Sequence, residues 1–167
     1  LTGSKIDTTT NLTNATLTNL IPGPLHQHSV APTNLPVGSK FITNSSVEHF
    51  LVGPSVNLTG VDLTGADLTG VDLTGADLTN AITGPLANGS NEPSILPNNF
   101  QFVTNPTTND SFLIGPGVNL TGVDLTGVDL TGADLTGANL TGADLTSVDL
   151  TDVKINANTN LTNATLR

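Results

Sequence analysis

Leucine recurs at every fifth position from Leu120 to Leu150, and Ile155 closes the series. Ala or Val stands two residues before each of these positions, with Asp, Asn or Lys154 between. Thr follows each Leu, and Gly usually follows the Thr. A second run, Val56 to Ala81, carries Leu58, Leu63, Leu68, Leu73 and Leu78. Five is the wrong period for a helix, whose apolar face returns about every 3.6 residues, and for a flat strand, which alternates. One Gly per period would also cost a long helix roughly 1 kcal/mol each. A chain that turns a corner every five residues satisfies the pattern. Leu and Ala or Val then point inward, Asp and Thr point outward, and Gly takes the positive φ of the corner. Such a unit cannot bury its apolar side alone, so units must stack as a solenoid.

These repeats resemble the pentapeptide-repeat family, whose consensus is A(D/N)LXX. The resemblance implies an all-β fold, a right-handed quadrilateral parallel β-helix with four pentapeptides per coil. It implies a fold more firmly than a function.

The 167 residues suffice for one domain. Charged residues are 11%, too few for a disordered acidic tail, and the Leu and Val content argues for a thin core. Net charge is −10, with Lys5, Lys40, Lys154 and Arg167 as the cationic side chains besides His. Binding to nucleic acid through phosphates is therefore not expected. The absence of Cys excludes disulfides and thiolate metal sites. No run of about 18 apolar residues occurs, so no membrane insertion is expected. The chain opens at Leu1 within a repeat, which reads as an excerpted or processed piece.

The expected organisation is one continuous solenoid: repeats at 1–18, an insert at 19–55, repeats at 56–83, a second insert at 84–117 and repeats at 118–167. The inserts are homologous. Gly23-Pro24-Leu25 matches Gly84-Pro85-Leu86, Leu35-Pro36 matches Leu96-Pro97, and Phe41 to Asn44 match Phe102 to Asn105. Phe50 to Pro54 match Phe112 to Pro116. Inserts with an LP turn and an LVGPG-like close resemble those of bacterial members of the family. The termini are also related. Leu1 aligns with Leu150, and Thr10 to Leu17 match Thr159 to Leu166, so the sequence begins to repeat after 149 residues. The same extra residue interrupts the fivefold spacing in both copies, between Ile6 and Leu12 and between Ile155 and Leu161.

Four pentapeptides per coil would bring residues twenty apart together, about 4.8 Å from one another. Asn119 is then expected over Asn139, Asp134 over Lys154 as an ion pair, and Leu120 to Leu135 over Leu140 to Ile155. Asp124 over Asp144 and Asp129 over Asp149 place like charges together, at about 0.9 kcal/mol each in bulk water. Each buried Leu contributes roughly 1.5–3 kcal/mol, which outweighs that repulsion.

No nucleophile–base spacing, phosphate loop or paired buried carboxylate suggests an enzyme, and no cofactor is implied. His26-Gln27-His28 could supply two metal ligands, but Ala87 and Gly89 stand at those places in the second insert. Asp124, Asp144, Asp129 and Asp149 are weak candidates for Ca²⁺, since outward carboxylates on different faces do not share one ion easily. The Thr rows form hydroxyl ladders on every face and mark none of them out. Asn-x-Thr at Asn57, Asn119 and Asn139 follows from the repeat register. Phe41, Phe50, Phe100, Phe102 and Phe112 all lie in the inserts and are expected either to anchor the loops or to form a self-assembly patch.

The expected function is structural: a segment of an extracellular or cell-surface fibre whose partner is itself, head to tail or as further repeats of a longer chain. Open ends within repeats and the 149-residue period motivate it. The alternative is an acidic module that mimics DNA and inhibits an enzyme such as a type II topoisomerase, as some family members do.

Overall fold

The computed structural model describes residues 7–17, 24–25, 31–87 and 92–167. The described residues are all-β and contain no helix. Two regular features alternate along them: antiparallel hairpins in the inserts and isolated parallel bridges in the repeats.

The repeat segments bridge at the expected interval. Asn57 pairs with Asp77, Asp62 with Ile82, Asn119 with Asn139, Asp124 with Asp144, Asp129 with Asp149 and Asp134 with Lys154, each twenty residues apart and parallel. One column runs without a gap through Asp62, Ile82, Asn119, Asn139 and Asn160. Each corner is made the same way. The Val128 N–H donates to the Leu125 carbonyl at 2.9 Å, and Gly127 between them has φ 69°. A positive φ at the third turn residue alone is the type II geometry, which Gly adopts without steric cost. Ser147 and Asp152 stand at this corner in later repeats and take the same conformation, at φ 58° and 57°. Repeats about twenty residues apart then join edge to edge: Leu125 N–H to the Asp144 carbonyl at 2.9 Å, and Gly127 N–H to the Thr146 carbonyl at 2.9 Å.

The extra residue near the C-terminus is absorbed in one turn. Asn139 and Asp144 pair with Asn160 and Thr165, twenty-one residues on. The Asn156 N–H donates to Thr159 Oγ1 at 3.1 Å, and the Thr159 N–H to the Asn156 carbonyl at 3.0 Å. Asp7 and Thr10 make the same two bonds, at 3.2 and 3.0 Å. The 149-residue period is thus a period of structure over residues 7–17 and 156–166. Leu1 to Ile6 lie outside the described residues.

Each insert contributes one hairpin. Strands β1 (Lys40–Thr43) and β2 (His49–Val52) pair antiparallel, with Phe41 opposite Leu51 and Ile42 opposite Phe50. Strands β3 (Gln101–Thr104) and β4 (Ser111–Ile114) repeat the register, with Phe102 opposite Leu113 and Val103 opposite Phe112. Each hairpin joins the repeats through equivalent bonds. Asn44 Nδ2 donates to the Asp62 carbonyl at 2.9 Å, and Asn105 Nδ2 to the Asp124 carbonyl at 3.0 Å. The bridge Asn11 to Asn34 recurs as Asp72 to Ile95.

One apolar cluster runs from Leu17 to Leu145. It takes in the repeat leucines together with Ile42, Phe50, Val52, Phe112, Leu113 and Ile114 of the hairpins. A small second cluster, Leu25 and Leu51, lies against Leu12, Leu35 and Phe41. Burial lapses towards the C-terminus: Leu145 is 3% exposed, but Leu150 is 37%, Ile155 58% and Leu166 53%. The expected leucine-on-leucine columns therefore continue in register while their last members stay open.

Candidate functional site

The outward face of the repeats is built from one small device. The Asp or Asn before each Leu accepts the N–H of the Thr two residues later, an Asx turn. Asp124 Oδ1 accepts from Thr126 N–H at 2.9 Å, Asp129 from Thr131 at 2.9 Å, and Asp149 from Thr151 at 2.9 Å. Asn119 and Asn139 accept from Thr121 and Thr141 at 3.1 Å, and the same threonine hydroxyls donate to them at 2.7 and 2.6 Å. These bonds hold the carboxylates in their charged form. The Thr126 hydroxyl and N–H keep Asp124 below the usual carboxylate range, and Thr131 does the same for Asp129. Thr151 also lowers Asp149, although its neighbour Asp129 works against it. The like charges are tolerated because each is tied down locally.

The expected ion pair between Asp134 and Lys154 does not form. Their backbones bridge, but Asp134 Oδ1 is turned to the Thr136 N–H and hydroxyl, at 3.0 and 2.7 Å, and the Lys154 side chain is exposed to solvent. Among the described residues an ion pair is made instead across an insert: Lys40 Nζ lies 2.7 Å from Asp67 Oδ2 and 3.2 Å from the Thr69 carbonyl. Burial opposes the charge on Asp67. The Lys40 ammonium and Thr69 outweigh it and bring the pKa to about 2.

The weak calcium candidates come together only in pairs, Asp124 with Asp144 and Asp129 with Asp149. Among the described residues no group of three or more His, Cys, Asp or Glu is placed to hold a metal. His26 and His28 lie outside the described residues. His49 Nδ1 meets the Thr43 hydroxyl at 2.8 Å, and its ring stacks on Phe41 at 5.4 Å. Of the five phenylalanines, Phe50 and Phe112 are buried in the main cluster, while Phe41, Phe100 and Phe102 are half-buried. The Phe100 ring is seated on Gly115, where a Cβ would lie 2.5 Å from it.

One feature was not singled out from the sequence. Asn44 and Asn105 are buried and fasten the hairpins to the repeats. Their signal was a polar residue kept at one place in both inserts beside apolar strands. The expected open end is apolar. Leu135, Leu145, Leu150, Ile155, Leu161 and Leu166 line a hollow of about 190 Å³ at the last winding.

The profile of pentapeptide repeats matches residues 55–82 and 117–152, in eight copies. The chain carries pentapeptide repeats. The matched stretches are those in which residues twenty apart bridge, and the hairpins fall outside them. A comparison with curated proteins finds no match. Among the described residues no helix is long and apolar enough to cross a membrane.

Proposed function

We propose that this pentapeptide-repeat chain is a segment of an extracellular or cell-surface fibre, assembled by end-to-end stacking of β-helix coils. The coil in this reading is the right-handed quadrilateral parallel β-helix. Bridges at twenty residues with a corner every five support four sides per winding. The two hairpins are homologous inserts within one solenoid, anchored by Phe50 and Phe112. The observation that carries the proposal is the 149-residue period, which recurs as the same turn at Asp7 and at Asn156. In this reading successive units stack, either as second copies head to tail or as continuing repeats of a longer chain. Electron microscopy of the native material tests the proposal: filaments with a regular axial repeat are expected, and isolated short rods would overturn it.

One observation favours a second reading. Asp124, Asp129 and Asp134 put three carboxylates on one winding. With windings about 4.8 Å apart, that approaches the duplex density of one charge per roughly 1.7 Å. A DNA-mimicking inhibitor of a type II topoisomerase would exploit this. The hairpins interrupt such a rod, so the fibre reading ranks first. Inhibition of DNA supercoiling by the purified chain would reverse the order.

A further inference from the structure

The two inserts are copies, so their differences at one place can be compared directly. In the first, Lys40 reaches down from β1 to Asp67 Oδ2 and the Thr69 carbonyl, at 2.7 and 3.2 Å. In the second, the counterparts of Asp67 and Thr69 are Asp129 and Thr131, but Gln101 stands where Lys40 did. Gln101 Nε2 keeps the carbonyl contact, 3.2 Å from Thr131 O. Its side chain is one bond shorter and uncharged, and among the described residues Asp129 has no cationic partner. Two further exchanges fall beside it: Ala31 becomes Glu92 and Ser39 becomes Phe100. A neutral lysine–aspartate pair has been replaced by two carboxylates, and Asp149 adds a third from the adjoining winding.

A hollow lies beside these exchanges. Glu92, Phe100, Gln101, Phe102, Asp129 and Thr131 line an open space of about 380 Å³. Its lining brings together two carboxylate side chains, the Thr131 carbonyl that Gln101 engages, and two phenylalanines. That combination suits an alkylammonium better than a bare metal ion. The charge would meet carboxylate and carbonyl, and the methylene stem the apolar phenylalanine side chains.

We propose that this hollow binds a primary alkylammonium group, such as a lysine side chain of a partner, in the position that Lys40 fills within the first insert. The proposal does not depend on the fibre reading. The first insert already shows an ammonium held by the equivalent aspartate and carbonyl, so the second needs one from outside.

The test is an NMR titration of the full chain with n-butylammonium chloride, set beside sodium chloride and butan-1-ol. Saturable shifts confined to the Phe102 and Thr131 amides and the Gln101 side-chain amide are expected with butylammonium alone. Asp129→Asn should weaken the binding roughly tenfold or more, the worth of one charge-assisted bond. Gln101→Lys should abolish it by filling the site from within, and that variant restores a pair the fold already accommodates. Equal shifts with sodium chloride would reduce the site to charge screening, and equal shifts with butanol to an apolar hollow. Either result, or undiminished binding in Gln101→Lys, overturns the proposal.

Discussion

At the scale of the residue, the repeat is an Asx turn followed by a type II corner. Asn139 illustrates the first part, accepting both the N–H and the hydroxyl of Thr141. Asn139→Ala should lower stability by about 1 kcal/mol, the usual net worth of such bonds. Asn139→Asp keeps the acceptor and should change stability much less; chemical denaturation of both variants checks this. The Asp67 carboxylate makes a pH-dependent prediction. Its folded pKa of about 2 lies below the ordinary 3.8. The ion pair with Lys40 therefore stabilises the fold above about pH 4, and the gain is lost as pH falls towards 2. Both side chains are partly exposed, so Lys40→Met should cost only about 0.5 kcal/mol at neutral pH. The difference from the parent chain should be much reduced in denaturation curves at pH 2 and should shrink in high salt. Much of this scale was legible in the sequence: the period placed leucine inside and glycine at the corner. The Asx turn was not read, because Asp was assigned to solvent and Thr to solubility, without joining the two across one residue. The same oversight produced the expected Asp134–Lys154 pair. Register brings the backbones together, but a nearby Thr136 holds the carboxylate before a flexible lysine can.

At the scale of the element, the hairpins are the parts that vary and the repeats the parts that hold register. The inserts were recognisable as copies, and the copies fold alike, down to the buried Asn44 and Asn105. The pairing was not legible, since Pro and Gly mark where a chain turns and not which strands then meet; for the phenylalanines, loop anchoring was one of the two expectations. Asn105→Ala should cost about 1–3 kcal/mol, because it leaves the Asp124 carbonyl without its side-chain donor and empties a buried site. Thermal denaturation should show that loss, with the amides of β3 and β4 exchanging fastest. The turn between β1 and β2 carries a defect that its copy has removed. Val47 sits at φ 62°, where a β-branched residue is strained, and Asn109 occupies the matching place at φ 65°. Val47 is exposed. Val47→Asn should therefore raise stability by about 1 kcal/mol, read as a higher denaturation midpoint. An unchanged or lower midpoint would mean that the valine side chain contributes something the backbone strain conceals.

At the scale of the whole molecule, one apolar cluster threads repeats and hairpins alike, so the inserts are parts of the same body. The 149-residue period reappears as matching turns at Asp7 and Asn156, which makes the long repeat a property of the fold. The sequence already carried that period; the turns that realise it at Asp7 and Asn156 it did not show. The long period carries the fibre proposal. Sedimentation of the purified chain over a wide concentration range tests it most directly, beside a variant carrying Ile155→Asp and Leu166→Asp. The account predicts head-to-tail association that grows with concentration in the parent chain and is lost in the variant. A parent chain that stays monomeric at every concentration, with a sedimentation profile matching the variant's, would contradict it.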